Sequence, residues 1–196
     1  MGQPAEKQRR ATYADLEAAP PNKVAELVRG TLHVFPRPAP KHAWASSGLG
    51  AELIGPFQRG RGGPGGWIIL GEPELHFPDP DAPGEIDALV PDLAGWRRER
   101  MPALPDTAYF ELAPDWICEI LSPSTEDVDR DEKMPISARE GVRHAWLVDP
   151  IARTLEVYVL GGDRRWGSAV VHRDAACVRV APFDAIELDL SVLWAK

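Results

Sequence analysis

The sequence predicts an α/β protein, and three observations carry that expectation. Short apolar runs of strand length recur along the chain, stretches with helical spacing fall between them, and Gly, Pro and Asp punctuate both. The run over 115–121 is a mostly apolar stretch of strand length with Glu119 inside it, and it passes directly into Ser122-Pro123-Ser124-Thr125, a turn and helix-entry cluster. A length of 196 residues suits one hydrophobic core, and no internal repeat is visible. Residues 12–196 therefore read as a single domain, preceded by a flexible tail over 1–11.

Each element follows from local patterning. Thr12-Tyr13-Ala14-Asp15 places an acid three residues after a cap residue and predicts a short helix through Glu17, stopped by Pro20-Pro21. Two β-prone runs, 24–28 and 31–35, flank Arg29-Gly30 and predict a hairpin. Residues 41–57 present Ala43, Ala45, Leu49, Leu53, Ile54 and Phe57 at near-helical spacing, with Gly48 and Gly50 allowing close packing against a sheet. The Gly-rich stretch 60–66 lacks the lysine and hydroxyl that close a phosphate loop, and reads as a plain connection. Strands are expected over 67–70, 74–77 and 86–96, the last interrupted by Pro91, and then over 116–121 after a loop over 97–110. The next helix ends near Gly141, and Pro135 requires that it begin late, near Asp131, or kink. Strands at 142–148 and 154–160 turn around Asp149-Pro150, and runs at 166–172, 177–180 and 186–190 precede a short helical cap.

Composition excludes several classes. Apolar residues at 44% and seven tryptophans supply more core material than a disordered chain carries. No apolar stretch is long enough to span a bilayer, and Met1 to Arg10 has no apolar signal core. Cys118 and Cys177 make no metal-ligand pattern and read as buried free thiols, consistent with a cytoplasmic protein. A formal net charge of −8 disfavours avid nonspecific binding to a phosphate backbone, although Arg59/Arg61 and Arg97/Arg98/Arg100 are local basic patches. The Trp and Leu residues of the C-terminal strands serve equally well as core or as the face of a homodimer.

Four residues form the candidate site: Glu26, Asp92, Glu119 and Lys133. A carboxylate inside an apolar strand, as at Glu119, requires a compensating partner. Phosphodiester hydrolysis near neutral pH uses a metal ion to generate hydroxide and offset phosphoryl charge, and hard cations such as Mg²⁺ take carboxylate oxygens with several waters. A nearby lysine orients or deprotonates the attacking water, or stabilises developing charge. Taken singly, each residue also has an ordinary role. Glu119 suits a buried acid paired with an arginine or backbone donors, Asp92 a turn bond after Pro91, Glu26 an exposed hairpin position, and Lys133 a solvated helix face. Asp87, Glu72, Glu74 and Glu85 are accessory acids at most. His42 reads as a helix-start residue and Ser122 and Ser124 as capping residues. His33, His76, His144 and His172 lack ligand spacing.

The segments Thr12-Tyr13-Ala14-Asp15-Leu16, Ala25-Glu26-Leu27-Val28-Arg29-Gly30, Val90-Pro91-Asp92-Leu93, Glu119-Ile120-Leu121-Ser122-Pro123-Ser124, Asp131-Glu132-Lys133 and Gly141-Val142 through Asp149-Pro150 together resemble the Uma-type restriction endonucleases of the PD-(D/E)XK nuclease superfamily. The resemblance covers most of residues 12–160. It implies a restriction-endonuclease-like core with a mixed central sheet flanked by helices, and Mg²⁺- or Mn²⁺-dependent cleavage of DNA. Asp92 and Glu119 would bind the metal, Glu26 would assist, and Lys133 would serve the water. The usual superfamily lysine stands two residues after the acid, where this chain has Leu121, whereas Lys133 on the following helix matches the Uma-type pattern. The alternative is a noncatalytic module that keeps the fold for nucleic-acid binding or assembly.

Overall fold

The computed structural model describes residues 9–195; residues 1–8 of the expected tail lie outside the described residues. Arg9 pairs with Asp15 at 2.8 Å, and Arg10 contacts Asp79 and Glu85. Helix α1, Tyr13–Glu17, starts at Thr12, whose N–H and hydroxyl both donate to Asp15 Oδ2 at 2.7 and 2.8 Å.

Strands β1, Val24–Val28, and β2, Thr31–Phe35, form the expected hairpin. Arg29 and Gly30 take φ of +50° and +74°, the two positive values of the tight turn whose twist matches a hairpin. Arg29 N–H donates to Asp87 Oδ1 at 2.6 Å, which holds this non-glycine residue in its unusual conformation. Helix α2, Pro40–Leu53, ends in a wider π turn, Ile54–Gln58. Gly48 sits where an added Cβ would lie 3.1 Å from the Val192 carbonyl, so the close approach it permits is to the C-terminal segment.

Strand β3, Trp67–Gly71, is followed by β4, Leu75–Pro78, and then by β5, Ile86–Leu89, and β6, Leu93–Arg97. The break at Pro91 moves the chain between sheets: β5 belongs to a four-stranded antiparallel sheet ordered β2-β1-β5-β4, and β6 to a larger one. Pro91 has no N–H to offer a ladder, so the strand cannot continue through it.

The larger sheet includes β7, Trp116–Ile120, β8, His144–Asp149, β9, Thr154–Val159, and β10, Val170–Arg173. Its order is β10-β9-β8-β7-β6-β3, with β7 and β8 parallel and the other pairs antiparallel. This is the expected mixed central sheet. Two-residue strands β11, Cys177–Val178, and β12, Leu188–Asp189, and a short 3-10 turn, Leu190–Leu193, complete the chain.

Alternation along β7 sorts the core. Trp116, Cys118 and Ile120 face α2 and the C-terminal segment, packing with Ala45, Leu49, Leu53, Phe183 and Leu193. Ile117 and Leu121 face the smaller sheet and the helix after β7, packing with Val28, Leu89, Met134 and Ile136. Glu119 shares this second face. The C-terminal Leu188, Leu190, Leu193 and Trp194 are buried in the first cluster, so core packing accounts for them. Cys118 is buried as expected, but Cys177 is exposed, because Val178 takes the inward position of its two-residue strand. Among the described residues, no helix is long and apolar enough to cross a membrane.

Candidate active site

Three separate structural decisions build the site. The first is the face of β7 on which Glu119 lies: its side chain points from the central sheet toward the smaller sheet, and it is buried. The second is the hairpin, which places Glu26 of β1, also buried, opposite it. The exposed position open to Glu26 from sequence is not the one it occupies. Its Oε1 accepts from Val90 N–H at 2.6 Å, tying β1 to the segment that carries Pro91 and Asp92.

The third is the helix after β7. It runs as α3, Glu126–Val128, a π turn, Asp129–Lys133, and α4, Met134–Arg139. The kinked form is therefore the one adopted, with Pro135 just after the wide turn, where its missing N–H is accommodated. The turn aims Lys133 inward. Its Nζ lies 3.0 Å from Glu26 Oε1, 3.0 Å from Glu119 Oε1 and 3.0 Å from Asp129 Oδ1, and the side chain is 4% exposed. A solvated helix face is thus excluded for Lys133.

Asp92 joins through backbone and imidazole. Its Oδ2 accepts from Ile120 N–H at 2.7 Å, its own N–H points to Glu119 Oε2 at 3.3 Å, and its Oδ1 lies 3.2 Å from His42 Nε2. Glu26, Asp92, Glu119 and Lys133 consequently line one cleft of about 250 Å³, together with Asp129 and His42. The remainder of its wall is largely apolar, from Val24, Phe35, Pro36 and Val90.

The electrostatics follow from burial. Burial opposes the charge on Lys133, but Asp129, Glu119 and Glu26 outweigh it and hold the ammonium well above the ordinary lysine range. Burial pushes the Glu119 carboxyl well above the usual range; Lys133 pulls it back, while Asp129, Asp92 and Glu26 add to the rise. Glu26 is raised for the same leading reason, against the pull of Lys133 and the Val90 N–H bond. Glu26 and Glu119 each lie 3.0 Å from the Lys133 ammonium, so the protonation of either carboxyl depends on that shared charge. His42 loses by burial but gains more from Asp92, Asp129 and Glu72, and is raised.

That donor set suits a hard divalent cation: the carboxylates of Asp92, just before β6, and Glu119, on β7, line one cleft whose acids outnumber its cations. Among the described residues, no group of three or more His, Cys, Asp or Glu side chains is gathered as a metal cluster. A Mg²⁺ site built on one or two carboxylates and water does not require one.

Two participants were missed or undervalued in the sequence. His42 belongs to the cleft rather than to a helix cap, and Asp129 completes the cage. The only sequence signal for Asp129 is its spacing of four from Lys133, which is also that of an ordinary surface pair. Glu72 lines the cleft, whereas Glu74 bonds Tyr13 and His76, and Glu85 meets Arg10. Asp87 is fully buried and braces Arg139 at 3.0 Å, a structural role. The hydroxyl of Ser122 bonds those of Ser124 and Thr125, each at 3.0 Å; no hydroxyl caps α3.

Residues 10–191 match the Uma2 family model, described as "Putative restriction endonuclease". The chain is also similar to a solved structure from Anabaena variabilis described as a putative nuclease belonging to DUF820. The two are 24% identical with a TM-score of 0.70, over 93% of this chain and 97% of that one, a likeness that bears on the fold. No curated protein matches the chain.

Proposed function

The chain belongs to the Uma2 family, described as putative restriction endonucleases, and from that premise we propose that it is a metal-dependent endonuclease that hydrolyses DNA phosphodiester bonds. The observation that carries this reading is the convergence of Asp92 and Glu119 beside the Lys133 ammonium in one cleft. Asp92 and Glu119 would hold Mg²⁺ or Mn²⁺. When bound, the cation supplies hydroxide at neutral pH and offsets charge on the phosphoryl oxygens.

The chain's own residues set the geometry. Lys133 fixes the Glu119 and Glu26 carboxylates through its 3.0 Å contacts. Because the ammonium stays charged, it acts by orientation and charge stabilisation and does not take a proton from water at neutral pH. His42 and the Ile120 N–H orient the two oxygens of Asp92. Glu26 closes the cage on the side of Val90. The surplus of carboxylates also repels phosphate, so substrate binding as well as turnover depends on the divalent cation.

The complete engagement of Lys133 by three acids favours a second reading, a noncatalytic nucleic-acid-binding or assembly module. Plasmid DNA, single strands and small nucleotides incubated with Mg²⁺, Mn²⁺ or neither distinguish the two. Metal-dependent nicking or linearisation that Glu119→Gln abolishes supports the nuclease. DNA retention without cleavage in any metal supports the module, and cleavage of small nucleotides alone replaces DNA with another phosphoester.

A further inference from the structure

We propose that the opposite end of the central sheet carries a separate phosphate-binding site, formed by Arg97, Arg100 and Arg143 around a cavity of about 260 Å³. Strand register places it there. Gly95 pairs with Trp116, and Trp116 with His144, so the end of β6 and the starts of β7 and β8 lie together at one end of the sheet's strands. Glu119 is three residues further along β7, roughly 10 Å at the rise of a strand. This site and the acid cleft therefore occupy different ends of the same strands.

The charges around the cavity do not cancel. Asp115 is committed: it accepts from Arg97 N–H at 2.8 Å and pairs with Arg100 at 2.8 Å. Arg100 is fixed further by a 3.1 Å bond to the Ala113 carbonyl. The Arg97 guanidinium is positioned by an aromatic ring rather than an acid, lying 4.2 Å over Trp67, which leaves its edge N–H groups available. Among the described residues, neither the Arg97 nor the Arg143 guanidinium has a carboxylate partner. Glu99 is the one other acid on the wall.

Two further observations agree. His144 is held below its ordinary range first by burial and then by the charges of Arg97 and Arg143, which outweigh the opposing pull of Asp115 and Asp184. Trp67 Nε1 and His144 Nδ1, both on lining residues, are buried without a hydrogen-bond partner among the described residues, so the polar shell here is incomplete. Guanidinium forks match oxyanions, and a phosphate offers four oxygens to several forks at once, whereas a carboxylate offers two.

Two sources share that chemistry: the terminal phosphate of a small molecule and an internal phosphodiester of a nucleic acid. The test is calorimetric titration of the full chain with inorganic phosphate, without divalent cation so that the acid cleft does not recruit the anion. The wild type should bind saturably. Arg143→Ala and Arg97→Ala should each weaken binding about tenfold or more, as for loss of a charge-assisted hydrogen bond. Glu99→Gln should tighten it, and Arg153→Ala, an equal charge change at an exposed position outside the cavity, should leave it unchanged. Arg143 is exposed and its side chain makes no ion pair among the described residues, so its alanine variant retains the fold, with far-UV circular dichroism as the check. A short oligonucleotide lacking terminal phosphates then identifies the source. Displacement of inorganic phosphate assigns an internal phosphodiester, and no displacement assigns a terminal one. Absence of saturable binding, or affinity unaltered in Arg143→Ala, overturns the proposal.

Discussion

Glu26 and Glu119 stand on different sheets, yet each places its Oε1 3.0 Å from the Lys133 ammonium. One buried cation thus joins the hairpin sheet to the central sheet and counters the like charges of the two acids. Lys133→Met keeps the length of the side chain but leaves Glu26, Glu119 and Asp129 facing one another without it. Removing one partner from a buried ion pair costs about 3–5 kcal/mol. The urea midpoint at neutral pH should fall by the corresponding amount with the slope unchanged. A midpoint equal to that of the wild type would show that the ammonium does not hold the sheets together.

Glu119→Gln should move stability in opposite directions with and without metal. Burial raises the Glu119 carboxyl against the pull of Lys133, and Lys133 keeps Glu26 and Asp129 as partners when Glu119 is neutral, so an amide here relieves a desolvation cost in the metal-free protein. Its melting temperature should rise, by about 2–4 °C for each kcal/mol relieved. A ligand that binds only the folded state adds about 2.7 kcal/mol at a hundred times its dissociation constant. The wild type should therefore gain stability on adding Mn²⁺, and Glu119→Gln should gain none. Equal gains in both proteins, read by differential scanning calorimetry, place the metal elsewhere.

Much of this arrangement is legible in the chain, and the gaps have physical causes. The hairpin around Gly30 and the apolar run of β7 are local patterns, so their residues suffice to specify them. Pro91 announces a break, but the transfer from one sheet to the other is set by partners distant in sequence. Pro135 announces a distorted helix, but only the packed structure shows that a π turn over Asp129–Lys133 directs the lysine inward. His42 lies 50 residues before Asp92, and no spacing rule connects a helix start to a strand start across that distance. Asp129 is hidden for a different reason: acids and bases four apart on a helix are mostly solvated, and burial alone distinguishes this pair.

Away from the cleft, acid stability should depend on Glu156. Arg130 binds both of its oxygens at 2.8 Å, and this contact leads the lowering of its carboxyl below the ordinary value of 4.5. A carboxylate lowered on folding contributes stability that is present above its unfolded value and is lost as pH falls through the folded one. Glu156→Gln removes that contribution. The wild type should exceed the variant in urea midpoint at pH 7, and the difference should shrink below pH 4.5. A gap that stays constant through the acid range assigns the loss to packing instead.

Gly95 provides a test of the aromatic core beneath the site. Glycine in a strand interior ordinarily weakens it, by about 0.5–1 kcal/mol relative to alanine, so Gly→Ala there is expected to stabilise. At Gly95 the added Cβ would stand 3.2 Å from Trp116 Cε3 and 3.2 Å from Trp67 Cε3. Both rings are buried, and Phe183 packs on them with centroids 4.9 Å from each, which resists their displacement. Overpacking a filled core costs about 1–3 kcal/mol, which outweighs the gain in strand propensity. Gly95→Ala should lower the urea midpoint and perturb near-ultraviolet circular dichroism from the tryptophans. A raised midpoint would mean that Trp67 and Trp116 yield, and that the end of the central sheet bearing the arginine cavity is less rigidly packed than its contacts require.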